Sequence, residues 1–137
     1  MTSSSLKLIR AFFLDVGIQA NPTKGAVLPP NIKTNVVAGK HLKEPRQFRV
    51  QVEVTLGCHK DLPTRYTGSV KAIGFFRVSP EVPDSELQAF AATAGASVLF
   101  GMIREMISNV TARGPWPMLQ LPLMTFQNLT RVDEPAG

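Results

Sequence analysis

Cys58 and His59 stand side by side, and with His41 they are the chain's whole stock of thiol and imidazole. Groups of this kind can ligate zinc or build a thiolate nucleophile. Neither chemistry closes here. Adjacent residues project in different directions, and a four-coordinate zinc would need at least two ligands from elsewhere. A thiolate–imidazole pair needs a third group to orient the base, and no motif supplies one. The ten carboxylates mostly sit near a lysine or arginine, so no two present themselves as general acid and base. The phosphate-cradling patterns G-x-G-x-x-G and G-x-x-x-x-G-K are absent. Asn109-Val110-Thr111 and Asn128-Leu129-Thr130 fit the glycosylation pattern, which has no meaning in a cytosolic chain. The expectation is a protein with no catalytic residues, no metal and no cofactor.

What remains is apolar surface in irregular segments. Val27, Leu28, Ile32, Trp116, Met118, Leu119, Leu121, Leu123, Met124 and Phe126 lie where no regular element can form easily. They either cover the edges of a core or line a groove, and the residue types allow both. Methionine and aromatic side chains adapt to many partner shapes, which suits promiscuous binding.

The elements that must position these residues follow from composition and pattern. The 137 residues are 44% apolar and 18% charged, as expected for one globular domain over 1–137. A single cysteine forms no internal disulfide. Lys7, Arg10 and Asp15 interrupt the N-terminal apolar stretch, and no run reaches the ~18–20 consecutive apolar residues of a bilayer span. These features predict a soluble cytoplasmic protein without membrane insertion. The net charge of +5 favours an acidic partner, whether nucleic acid, membrane surface or protein. The cations are scattered, falling every few residues between Lys24 and Lys71 with no run of five, so a solvated surface is the first reading and a dedicated anion site the second.

Residues 6–20 predict a strand, with Leu8, Phe12, Leu14, Val16 and Ile18 on one parity and Asn21-Pro22 as its end. A loop over 21–30 leads to a second strand over 31–38. Residues 47–57 alternate strictly, Phe48, Val50, Val52, Val54 and Leu56 against polar neighbours, which predicts a strand with one dry face. After a turn over 57–63, residues 64–78 return, with Gly68 and Gly74 marking bulges or close backbone approach. The sum is a four-stranded antiparallel meander or Greek key.

Ser85 and Gln88 then match a capping box, and the helix they open runs to Arg113, where Gly114 supplies a left-handed cap and Pro115 a stop. At about 28 residues and ~42 Å it is longer than a four-stranded sheet is wide, roughly 20 Å. Its apolar arc is wider than one stripe, and 91–97 are nearly all small. One side should pack on the sheet, while Ala91, Ala94, Val98, Met102 and Met106 meet a partner subunit. The tail over 116–129 holds Pro117 and Pro122, so it should run extended across apolar surface.

Residues 89–126 resemble the signature stretch of the SecB chaperone family. The similarity lies in Leu99-Phe100, Arg104-Glu105, Thr111-Ala112-Arg113-Gly114 and the proline-broken run from Pro115 to Phe126. The strand order before it fits as well. The resemblance implies an α+β fold: a four-stranded antiparallel sheet with one long helix packed on it. It implies a homotetramer, a dimer of dimers, with the long helices at subunit contacts. It implies an ATP-independent holdase for unfolded or precursor polypeptides in protein export. Val27, Leu28, Ile32, Trp116, Met118, Leu121, Met124 and Phe126 are then the client contacts.

Three departures separate the chain from export members. It is basic where they are acidic. Of two acids used in the first strand to dock the SecA ATPase, Asp15 matches one and Gln19 replaces the other, while Cys58-His59-Lys60 is basic where acids are expected. The second helix and acidic tail are short or missing before Gly137. These departures weaken the case for SecA as a partner. The stretch 89–95 resembles toxin–antitoxin-associated members at least as well. A dedicated partner-binding subunit for an antitoxin is therefore the second reading, and a basic nucleic-acid-binding module the third.

Overall fold

The strict alternation of 47–57 builds an interior strand of a sheet. In the computed structural model, which describes residues 5–21, 30–41, 43–57, 64–122 and 126, four strands form: β1 (Leu6–Ala20), β2 (Asn31–Lys40), β3 (Gln47–Gly57) and β4 (Tyr66–Val78). All pairs are antiparallel and the order is β1-β4-β3-β2. Three hairpin-linked strands with β1 returned beside the last is the Greek-key arrangement. The fold class agrees with the sequence reading. The turn expected over 57–63 lies almost wholly outside the described residues.

One helix, α1 (Leu87–Ala112), covers one face of the sheet, chiefly across β3 and β4. Phe48, Val50, Val52, Val54 and Leu56 all point into that interface and are buried. From β4 come Val70, Ala72 and Phe76, and from α1 come Ala92, Ala96, Leu99, Phe100, Ile103 and Ile107. Each buried valine, leucine or phenylalanine contributes about 1.5–3 kcal/mol relative to exposure.

The parity expected for β1 is overturned. The register against β4 slips between Leu8 and Arg10, and again between Phe13 and Asp15, leaving Ile9 and Leu14 as extra residues. A bulge shifts side-chain parity by one, so every residue beyond it changes face. Ala11, Phe13 and Ile18 pack against the core, while Phe12 pairs with Ile73 on the open face. Gly68 faces Ile18 with φ near +145°, and a Cβ there would collide with the Gly17 carbonyl. Its role is close backbone approach, since the bulges lie on β1.

Both expected helix caps are corrected. No side chain caps α1, because the chain enters it through a 3₁₀ turn over Asp84–Glu86 that places Ser85 inside the turn. Arg46 anchors this entry, donating to the Ser79 carbonyl at 2.7 Å and pairing with Asp84 at 2.9 Å. At the other end, Gly114 is not left-handed: Arg113 and Gly114 donate to the carbonyls of Val110 and Thr111 in a tightened last turn. Glycine is required there because a Cβ would meet the Tyr66 hydroxyl.

Residues 84–112 are long and apolar enough on average to cross a bilayer, at a mean hydropathy of 1.3 for the best window. Scattered charges hid this from a search for uninterrupted runs. Here 44% of that window is buried, against the sheet and the tail.

Candidate functional site

The proline-broken tail is strapped to the C-terminal half of α1. Tyr66, at the start of β4, supplies the hub. Its hydroxyl lies 3.3 Å from the Thr111 carbonyl and 3.4 Å from the Trp116 carbonyl, and it accepts the Trp116 backbone N–H at 3.3 Å. The indole Nε1 donates to the Asn21 carbonyl at 3.1 Å, and Asn21 in turn donates to the Thr64 carbonyl. Further along, the Leu119 N–H donates to Thr111 Oγ1 at 2.9 Å and the Ser108 hydroxyl to the Leu119 carbonyl. Arg104 Nε donates to the Leu121 carbonyl at 2.6 Å. Leu119 thus meets helix positions 111 and 108 and Leu121 meets 104, with Trp116 joined to the helix end through Tyr66, so the strap runs antiparallel to α1. Proline removes N–H donors from such a segment, and side chains of α1 satisfy the backbone groups that remain.

This geometry sorts the predicted client contacts. Met118 is 47% exposed, while Trp116, Leu119 and Ile32 are half-buried at the core's edge. Leu121 and Phe126 are corrected: at 1% and 6% exposure both sit in the core of their own chain, Phe126 edge-on to Phe100 at 5.7 Å between centroids. The strap needs apolar anchors, and these two serve as such. Val27, Leu28 and Met124 lie outside the described residues.

The predicted subunit contacts sort the same way. Val98 is 39% exposed, and Ala94, Met102 and Met106 are half-buried along the same helix row. Ala91 is fully buried in a small cluster with Phe48, Val78, Val82 and Leu87, so it belongs to the fold and not to a free face. Sequence reasoning missed Gly101, which is exposed with nothing within 4 Å of the place a Cβ would occupy. It also missed the edge. β1 lies at the side of the sheet, and Leu8, Ile9, Leu14 and Val16 on it are all more than 40% exposed. Ile9 and Leu14 are the two bulged residues, and a single sequence carries little signal for a bulge.

Among the described residues no three His, Cys, Asp or Glu side chains are grouped to hold a metal. His41 belongs to a turn, where its Nδ1 accepts the backbone N–H groups of Lys43 and Glu44 at 3.1 and 3.0 Å. Cys58 and His59 lie outside the described residues.

Comparison with solved structures places this fold beside a SecB-like chaperone of Mycobacterium tuberculosis, Rv1957, determined with a ChAD peptide from the HigA1 antitoxin. The two share a TM-score of 0.63 and 20% identity, over 90% of each chain. A Streptococcus agalactiae protein of unknown function aligns at a TM-score of 0.43 and 11% identity, over 85% of this chain and 96% of its own, which is too distant to carry an argument. Uncharacterized protein MJ0357 of Methanocaldococcus jannaschii is 33% identical over 93 residues, 67% of this chain and 58% of that relative's length. The family model for preprotein translocase subunit SecB matches residues 2–134. The chain therefore belongs to the SecB family, whose members are chaperones and not enzymes.

Proposed function

We propose that the chain is an ATP-independent holdase that binds unfolded or precursor polypeptides in the cytoplasm as a homo-oligomer. The observation that carries this reading is the strap. It is tied to α1 through backbone groups, so its outward side chains are left to the surface, with Met118 exposed and Trp116 and Leu119 half-open beside it. Methionine and tryptophan on an extended segment give contact area without demanding one partner shape. Several such patches, one per subunit, would hold one guest by avidity.

Self-association is favoured by two further surfaces. The unpaired ladder of β1 is a template for a second copy, and its four exposed apolar side chains add to the gain. The free helix row through Ala94, Val98, Gly101 and Met102 would let another helix approach closely at Gly101. A dimer of dimers uses both.

A second reading is a dedicated guardian of one antitoxin. It is favoured by the likeness to the mycobacterial chaperone solved with an antitoxin peptide. Handover to SecA is not part of either reading, because Gln19 brings no charge and Asp15 sits opposite Lys71.

The test is suppression of aggregation of a chemically unfolded model protein without nucleotide, followed by light scattering, with client affinity measured in parallel. Met118→Asp should weaken client binding about tenfold, as the loss of ~1.5 kcal/mol from one buried side chain implies. Suppression by the parent that needs ATP, or affinity unchanged in that variant, would contradict the proposal. Tight binding of a single antitoxin segment with no general suppression would select the second reading.

A further inference from the structure

The sheet face opposite α1 is covered by no other element among the described residues, and its charge is unevenly placed. Reading across β1, β4, β3 and β2, one row is Asp15, Lys71, Glu53 and Asn35. There a lysine stands between two carboxylates and the charges compensate. Two rows nearer the other end differ. Lys7 faces Arg77 directly, and Arg10 and Arg49 flank Phe75 on either side. Four cations are gathered there, and among the described residues none of them is in an ion pair. Like charges directly opposite one another on paired strands are destabilising. Among the described residues no acid pairs with them, so this end keeps an unfavourable arrangement that an anionic guest would relieve.

The same end is concave. A cleft of about 450 Å³ is lined by Ile9, Arg10, His41, Arg49, Ile73 and Phe75, with the bulge of β1 delivering Ile9 to its rim. Its floor is apolar and its walls are cationic. The Arg10 guanidinium is held 4.9 Å over the Phe12 ring, which fixes a cation at the edge without neutralising it.

We propose that this cleft is a docking site for an acidic segment of a partner polypeptide, one that sets an aliphatic side chain between carboxylates. Charge complementarity and the size and lining of the cleft select this occupant over single-stranded nucleic acid. Bases bind such sheets by stacking on open aromatic faces. Here one face of Phe12 is taken by Arg10, and Phe12 and Phe75 lean on each other at 36° with centroids 6.4 Å apart. The floor is completed by isoleucines, which suit an aliphatic anchor. The site is separate from the strap and does not depend on it, so it stands or falls apart from the holdase reading.

The test uses the full chain and a fluorescein-labelled peptide alternating glutamate with leucine, read by anisotropy. The comparison probes are the same peptide with lysine for glutamate, and an oligothymidylate of equal length. The acidic peptide should bind with an affinity that falls as salt rises, and the lysine peptide should not bind. Arg10→Glu with Arg49→Glu, the two cations that line the cleft, should weaken the acidic peptide about tenfold or more, through loss of two charge-assisted contacts. Lys33→Glu, the same charge change at the far end of that face, should change it less than about twofold. Arg49→Glu alone removes one of the two cations that flank Phe75, so it should melt no lower than the parent while still losing peptide. That opposite movement of folding and binding excludes misfolding as the cause. Equal loss in the Lys33 variant, tighter binding of the oligothymidylate, or no acidic-peptide binding at all would overturn the proposal. So would loss of peptide binding at concentrations where the chain self-associates, since a second copy would then occupy the cleft.

Discussion

The sheet contains two strands whose situations run opposite to their apolar content, since β1 has ten apolar residues in fifteen and β3 only five in eleven. β3 is interior, pairs on both sides, and sends every second residue into a dry interface. β1 is an edge, carries two bulges, and leaves Leu8, Ile9, Leu14 and Val16 in solvent. Apolar content alone does not say which strand builds the fold and which one offers surface. Regularity does. A strand that must fit beneath a helix cannot tolerate a change of parity, whereas an edge strand can be bent and re-aimed.

Substitutions can break this contrast in order of size. The largest effect should come from the interior. Phe76→Ala removes a fully buried ring that closes over Gly74 and Gly95, and should cost about 3–5 kcal/mol in a urea titration. The seam between the two kinds of strand should come next. Gly68→Ala puts a side chain against the Gly17 carbonyl at a backbone angle that alanine rarely adopts, at a cost of about 1–3 kcal/mol. Faster amide exchange confined to β1 would show that the loss lies in the β1–β4 pairing. The smallest effect on folding should come from the edge. Leu14→Lys should change the stability of a subunit by no more than about 0.5 kcal/mol, yet shift sedimentation towards smaller species. If Leu14→Lys unfolds the chain as Phe76→Ala does, the contrast between the strands is wrong.

The legible parts of the fold were those decided by local pattern. The alternation from Phe48 to Leu56 needs no knowledge of its neighbours, and it placed β3 correctly. The parity of β1 was lost because its bulges are set by pairing with β4. The capping box at Ser85 and Gln88 failed for a similar reason, since Arg46, from the hairpin between β2 and β3, fixes the helix entry. Gly114 was correctly marked as special, but the cause is a tyrosine nearly fifty residues earlier. In the candidate site, the tail's extended course was legible from Pro117 and Pro122. Which of its apolar residues face inward was not. Leu121 turns into the core because Arg104 holds its carbonyl, a contact no composition reveals. The basic end of the open face was read as scattered charge, because Lys7, Arg10, Arg49 and Arg77 become neighbours only through strand register.

The most direct test of the account is amide hydrogen exchange on the full chain with and without a saturating unfolded client. The client should slow exchange over the strap from Trp116 to Leu121 and leave the open-face rows around Phe75 unchanged. Slowing confined to β1 or to the open face, with the strap exchanging as freely as before, would contradict it.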